Sequence, residues 1–458
     1  MSLVILLNLL IKPLWLLLEN MVQNDIGHDQ YGVFSALFSL SFLFVSLSDL
    51  GINYYITQRL SIEPGELKSL FSNVFSFKIF LVIVYPVIIG CAGWLLRYSA
   101  TELYFLVLLS FTQALLQFVY FFRANFQASQ HFSIDSVISI IDKVLLIGIV
   151  LILMNYGLSL RNFILGRLLS VVLTFALAYA CILHFYGWIK PSLNMKVMKQ
   201  VILFSWPFAL ISVLYSINEK IDQVMIERIY GAKEAGLYAA AYRWLDAFLM
   251  YIWTVMPIFF AKFSFNLNNR DETQKLFNSG QIICSVPFIY LFCFIYFYGD
   301  KFFMFLSNSS MIEIGEMTVI LKILVFSALL SGFFSLFSTL LNSTGFVKPM
   351  SIAVGISIII NMVLNFVFIP KYGAAAAAVA TGVSSFFLSV VSIVLVMRQG
   401  RVTISRLLLV KLSLIFLLTW LCFYILNYMK IDWMAVSIYA GIGMIFFTLL
   451  FRLRKYLI

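Results

Sequence analysis

Four cations, Lys12, Arg167, Lys220 and Arg243, fall inside long apolar runs of a 458-residue chain. At the centre of a membrane helix each such charge costs about 2.5–3.5 kcal/mol on insertion scales, so it needs water or a partner. Their depth prevents easy escape to either surface. Lys and Arg hold phosphate through charge-assisted hydrogen bonds. The four are therefore read as the lining of a water-filled cavity that suits an anionic substrate. Acids occupy the same runs: Asp49, Asp142, Glu219, Asp222 and Asp246. A carboxylate there can take a proton or a sodium ion, or can simply pair with a neighbour. Arg243 and Asp246 stand three apart on one helix, a pairing distance. Glu219 and Asp222 share that spacing, with Lys220 between them, and Asp142 adjoins Lys143. Lys78 and Lys322 are expected to snorkel to an interface. Asp49, in SDLG, is expected to order a turn.

Catalysis has little to build on. No metal-binding acidic motif, nucleophile elbow or phosphate-binding glycine loop is present. The five cysteines lie in apolar runs without metal spacing and read as small buried hydrophobes. The three histidines are scattered, so neither zinc nor haem is suggested. No cofactor is expected beyond coupling to H+ or Na+.

The elements that carry these charges follow from composition. Apolar residues make up 62% of the chain and charged residues 11%, with mean hydropathy +1.00. Soluble domains are about 45–50% apolar and about 25% charged. A soluble enzyme, a disordered regulator and a nucleic-acid binder are thereby excluded. The apolar runs fall at about 1–22, 32–57, 70–96, 103–122, 135–154, 162–185, 202–226, 236–261, 280–299, 317–341, 350–369, 374–397, 407–426 and 433–451. They are continuous rather than alternating, which argues for helices and against a barrel. The expected fold is an all-α integral membrane protein of about fourteen transmembrane helices. The first run lacks the basic flank and small-residue cleavage site of a signal peptide and reads as the first span. With the N-terminus cytoplasmic, loop and tail Lys and Arg divide sixteen inside against seven outside. That bias accounts for most of the +11 net charge and places both termini inside.

The sequence also resembles itself. Gly27, Gly32 and Ala36 recur 204 positions later as Gly231, Gly236 and Ala240. Tyr156, Gly157 and Gly166 recur 216 positions later as Tyr372, Gly373 and Gly382. The elbow between spans 1 and 2 thus maps onto that between 7 and 8, and the 5–6 elbow onto 11–12. Six spans separate the copies, so the repeats are parallel. The expected layout is an N-terminal lobe over 1–190, a C-terminal lobe over 191–398, a central cavity between these six-helix lobes, and helices 13 and 14 over 399–458. Proline allows a kink, and Pro13 beside Lys12 is expected to bend span 1.

Three stretches resemble a known family. YGVFSALFSL followed by LSDLGINYYITQRLS is similar to the start of Wzx-type polysaccharide transporters, members of the multidrug/oligosaccharidyl-lipid/polysaccharide exporter superfamily. SWPFALISVLYSINEKIDQVMIERIYGAKEAGLYAAAYRW resembles that family's seventh and eighth helices, and NMVLNFVFIPKYGAAAAAVATG its eleventh–twelfth elbow. The resemblance implies a flippase for undecaprenyl-pyrophosphate-linked oligosaccharide repeat units, serving O-antigen, capsule or exopolysaccharide synthesis by alternating access in the bacterial inner membrane. It implies that cationic cavity residues hold the pyrophosphate, with Lys12, Lys220 and Arg243 matching by position. Asp222, in KIDQVMI, matches a recurring family acid. Implied partners are the lipid-linked oligosaccharide, the bilayer, and the polysaccharide polymerase and chain-length machinery, with no nucleic acid.

Alternatives stay open within the superfamily: a lipid II flippase, or a cation-coupled multidrug exporter. Exporters of cationic drugs favour acidic cavities, whereas deep Lys and Arg here are at least as frequent. A membrane glycosyltransferase, polymerase or ligase is less well supported, because no sizeable extracytoplasmic loop is present to carry catalytic residues. The chain is therefore expected not to be an enzyme.

Overall fold

In hydrocarbon every backbone N–H and C=O must find its partner within the segment, so continuous apolar runs fold as helices. A computed structural model describes residues 2–450 apart from 54–55, 57–66, 130, 189–191, 193 and 268; side chains are described from 11 to 443 with further exceptions, Lys12 among them. The α-helices are α1 (Ser2–Leu43), α2 (Leu67–Leu95), α3 (Ala100–Ala128), α4 (Phe132–Asn155), α5 (Leu160–Tyr186), α6 (Met195–Ile229), α7 (Ala232–Phe265), α8 (Arg270–Tyr298), α9 (Met311–Ser343), α10 (Val347–Gln399), α11 (Arg406–Tyr428) and α12 (Trp433–Leu450). No strand occurs among the described residues. Two helices are each a pair of segments meeting at a glycine, α1 at Gly27 and α10 at Gly373. The described chain thus holds fourteen helical segments in the order of the fourteen apolar runs. Nine of the described helices are long and apolar enough to cross a membrane. The protein is an all-α, multi-pass membrane protein.

The glycines of the sequence repeat explain the elbows. Gly27 and its counterpart Gly231 have φ of 82° and 132°; Gly157 and its counterpart Gly373 have φ of 89° and 57°. These are backbone conformations that only glycine adopts without a Cβ clash. The structure marks a third matched pair. Ser99 and Glu102 form a capping box at the start of α3, and Ser310 and Glu313 form one at the start of α9. Their offset of 211 lies between the other two registers. In each box the serine Oγ accepts from the glutamate N–H, and the glutamate carboxylate accepts from the serine N–H.

One expectation is corrected locally. The run 32–57 is not one continuous span, because its helix ends at Leu43. A 3-10 turn over Val45–Ser48 follows, and Leu50 and Gly51 take φ of 52° and 74°. Ser48 Oγ donates to Val45 O at 2.7 Å, a local bond that competes with the helical ladder. The non-helical dihedrals described within α1 fall at Gly27.

The chain forms two compact units, Met1–Gly236 and Leu237–Ile458. In the first, α1 runs against α6 and the opening turn of α7. A Cβ on Gly32 would collide with the Ala232 carbonyl, and a Cβ on Gly236 with the His28 carbonyl. Residues 32 and 236, like 28 and 232, are counterparts in the repeat, so each glycine meets the counterpart of the other's partner. Gln23 Nε2 fastens this crossing by donating to Gly236 O at 2.8 Å. In the second unit, α9 packs on both α8 and α10, over a core containing Phe259, Phe277, Leu336 and Val396. The C-terminal α11 and α12 dock on α8 through Phe294, Tyr298, Phe423 and Val436. Tyr290 on α8 also donates to Ser437 O at 2.7 Å.

Candidate functional site

Helix α3 carries a run of polar side chains within a largely apolar sequence. Gln117, Tyr120, Ala124 and Gln127 recur at spacings of three and four, which puts them on one helical face. With Arg123 they form one wall of a cavity of about 490 Å³ in the first unit. Phe42, Asp49 and Asn53, at the end of span 2 and the turn after it, form a second wall, and Ser212 and Ser216 of α6 a third. This volume lies within the roughly 300–1,000 Å³ of ordinary ligand sites.

The cavity's polar groups are only partly satisfied by the protein. Arg123 Nε donates to Asp135 Oδ1 at 2.6 Å, and Gln127 Nε2 donates to Asp135 Oδ2 at 3.0 Å. Asp135 lies in the first turn of α4, where the helix dipole favours an acid. The Arg123 guanidinium also lies 5.6 Å from the Tyr120 ring centroid; among the described residues only its Nε donates a hydrogen bond, so both terminal nitrogens of its fork remain to bind an anion. Asn53 Nδ2 donates to Gln117 O and Oε1, each at 3.4 Å. Asp49 accepts from the Lys78 ammonium and from the Asn53 N–H at 3.3 Å. Lys78 does not snorkel: it is fully buried beside Asp49.

The other expected site residues distribute as follows. Arg167 Nη1 donates to Glu19 Oε1 at 3.0 Å. Its guanidinium lies 4.8–5.7 Å from the ring centroids of Trp15, Phe34, Phe38 and Phe163, within cation–π range. Glu19 also accepts from the Tyr31 hydroxyl, so the acid ties span 6 to the first elbow. At the counterpart positions Gln223 Nε2 donates to Ala235 O at 2.6 Å, a neutral version of the same brace. Lys220 and Glu219 pair at 3.1 Å, and Lys143 and Asp142 at 3.4 Å. Asp222 is buried on α6. Arg243 and Asp246 are half-buried on α7, in the second unit apart from its first turn. The Lys12 side chain lies outside the described residues. Lys322 stands 5.2 Å from the centroid of the Tyr296 ring. Of the residues singled out in sequence, the cavity therefore gathers Asp49, and it adds Arg123, Gln117 and Gln127. Arg123 escapes a hydropathy reading because it sits where a span ends, but the polar stripe on α3 would have exposed it.

Near the turn between α2 and α3 a second charged group forms. Tyr98 donates to Glu227 Oε2 at 2.9 Å, and the Arg228 guanidinium pairs with Glu227 and lies 3.7 Å from the centroid of the Tyr98 ring. Arg228 also approaches Glu102 at 3.9 Å. Burial, reinforced by Glu227, holds the Tyr98 hydroxyl above the usual phenol range.

The described residues thus hold a polar, partly cationic cavity within an all-helical membrane protein. The comparisons agree on the fold. The chain superposes on the lipid II flippase MurJ in its inward closed conformation with a TM-score of 0.78, covering 99% of both chains at 17% identity. It superposes on an inward-facing multidrug resistance MATE family transporter of the MOP superfamily with a TM-score of 0.68, covering 85% of this chain and 94% of that one at 13% identity. The family profile described as "Polysaccharide biosynthesis protein" matches residues 1–261, and the chain belongs to that family. Capsular polysaccharide biosynthesis protein CapF of Staphylococcus aureus is 25% identical over 248 residues, 51% of this chain. The match spans 60% of that relative's length.

Proposed function

We propose that the chain is a flippase that carries undecaprenyl-pyrophosphate-linked oligosaccharide across the bacterial cytoplasmic membrane for O-antigen, capsule or exopolysaccharide synthesis. The observation that carries this reading is Arg123, whose two free fork nitrogens face a polar cavity within a membrane protein of this family. Guanidinium forks bind phosphate oxygens bidentately. A cavity of about 490 Å³ takes a head group, while the polyprenyl tail stays in lipid. Both termini lie in the cytoplasm, following the loop charge bias. Lys12, Lys220 and Arg243 then serve the pyrophosphate or glycan during passage. Arg167, engaged by Glu19 and four rings, has a structural part. The acid lining the cavity, Asp49, is already neutralised by Lys78, which weighs against a cationic drug as cargo. The polymerase and chain-length machinery would receive the product.

The test is complementation of a flippase-deficient strain. The wild-type chain restores surface polysaccharide. Arg123→Lys keeps a cation for Asp135 but loses the fork. A hydrogen bond to a charged group is worth about 1.5–3 kcal/mol, so surface polysaccharide falls about tenfold or more at equal membrane abundance. Full polysaccharide from Arg123→Lys would remove this cavity from the transport path.

A further inference from the structure

In the second unit six cations stand where α7 ends, α8 begins, α10 ends and α11 begins: Lys262, Arg270, Lys275, Arg398, Arg401 and Arg406. The two acids in the same stretches are Asp271 and Glu272, which leaves a surplus of four positive charges. Glu272 is taken by Lys275 at 2.7 Å. The stretches are stapled to one another. Arg270 Nη2 donates to Gly400 O at 2.6 Å, and Arg401 Nη1 donates to Leu267 O at 3.0 Å. Gln274 Nε2 donates to Thr403 O at 2.9 Å, and Gln274 Oε1 accepts from the Thr403 N–H at 2.7 Å. Each arginine thus gives one donor to the opposite stretch and, among the described residues, keeps the others of its guanidinium. The side chains of Lys262, Arg398 and Arg406 make no hydrogen bond or ion pair among the described residues, and all three residues are exposed.

The positive-inside bias accounts for cations at this end of the helices. It does not account for two arginines held in reciprocal bonds, since loose lysines would satisfy it equally. Nor does it account for the apolar side chains beside the free cations. Phe265, 90% exposed, follows Lys262 by three residues; exposed Met397 precedes Arg398, and exposed Leu407 follows Arg406. Cations interleaved with exposed apolar residues suit the boundary between phosphate head groups and acyl chains. A soluble acidic partner would answer the charge and leave the apolar neighbours without a role.

We propose that this stapled junction is a binding site for anionic phospholipid. The head-group phosphates lie on Lys262, Arg398 and Arg406 and on the remaining donors of Arg270 and Arg401, and the acyl chains lie against Phe265, Met397 and Leu407. Clusters of about four to eight Lys and Arg beside membrane helix ends take anionic head groups in this way. The stapled loops hold the cations ready, so little ordering remains to be done when the lipid binds. The proposal rests on the membrane fold and not on the flippase reading, and its test needs no polysaccharide.

The purified full chain in nonionic detergent is titrated with fluorescent phosphatidylglycerol or with phosphatidylcholine of the same chains, and binding is read by anisotropy at low salt. The wild type prefers phosphatidylglycerol, and salt at about 1 M, where screening acts within about 3 Å, abolishes the preference. Each cation near an anionic membrane surface is worth about fivefold in affinity. Lys262→Gln/Arg398→Gln/Arg406→Gln keeps both stapling arginines and weakens phosphatidylglycerol binding about a hundredfold. Arg398→Gln/Arg406→Gln, weakened about twentyfold, serves if the triple variant does not fold. Lys196→Gln/Lys199→Gln, which removes two exposed cations at the start of α6, leaves binding unchanged. Equal affinity for the two lipids overturns the proposal and leaves the charge to a soluble acidic partner. Wild-type affinity in a folded triple or double variant overturns it too. So does displacement of the lipid by inorganic phosphate beyond that by chloride at equal ionic strength, which would mark a site for free phosphate. Lipid preference without movement of lipid-linked sugar would sink the flippase reading and leave this site standing; movement without lipid preference would do the reverse.

Discussion

Gly32→Ala is expected to unfold or strongly destabilise the protein, although it adds a single methyl group. The added Cβ would collide with the backbone carbonyl of Ala232, an atom that cannot rotate aside as a side chain can. Overpacking in a well-packed core costs about 1–3 kcal/mol, and a backbone neighbour places this case at or beyond the upper end. Gly236→Ala meets the His28 carbonyl at the counterpart position and should behave alike. Gly148→Ala supplies the control. Nothing lies within 4 Å of its Cβ and its helix is regular, so alanine there is neutral or stabilising by about 0.4–1 kcal/mol. Thermal unfolding in detergent, read by monodispersity, separates the cases. A Gly32→Ala protein as stable as Gly148→Ala would show that the two helices do not cross at these glycines.

Arg167→Met is the second large effect. The side chains of Arg167 and Glu19 are 13% and 9% exposed. Removing the cation leaves Glu19 buried with, among the described residues, only the Tyr31 hydroxyl to stabilise it. Breaking a buried pair from one side costs about 3–5 kcal/mol, whereas replacing both members by neutral groups is often close to neutral. Arg167→Met should therefore lose about that much stability, and Glu19→Gln/Arg167→Met should recover most of it. If Arg167 were a substrate ligand with no structural part, the single variant would keep wild-type stability and lose transport, and Glu19→Gln would rescue nothing.

These two sites show what the sequence makes legible and what it does not. Hydropathy is a local property, and it places fourteen runs that reappear as helical segments. The repeat is legible because glycine at a positive-φ elbow has no substitute, and so the pairs Gly27 with Gly231 and Gly157 with Gly373 persist in a diverged sequence. The Ser99 and Ser310 capping boxes were equally readable as Ser-x-x-Glu but fall outside either register. Span 2 ends early, at Leu43, a break that an average over apolar residues does not register. Charge pairing is invisible for a different reason. Arg167 meets Glu19 across 148 positions and Lys78 meets Asp49 across 29, so only the packing of helices brings them together. Arg123 stands where its apolar run ends, so hydropathy leaves it outside the span, although its place on a polar stripe of α3 marks it as part of a cavity wall.

Direct observation of lipid-linked sugar crossing a bilayer decides the central point. The purified full chain is reconstituted into vesicles carrying a fluorescent oligosaccharide on polyprenyl pyrophosphate, and the fraction reached by a membrane-impermeant quencher is followed over time. Wild-type protein should bring the inner-leaflet population into reach of the quencher far faster than protein-free vesicles do, and Arg123→Lys should slow that movement by about tenfold or more. Equal rates with and without the protein would contradict the assignment as a flippase for this class of lipid.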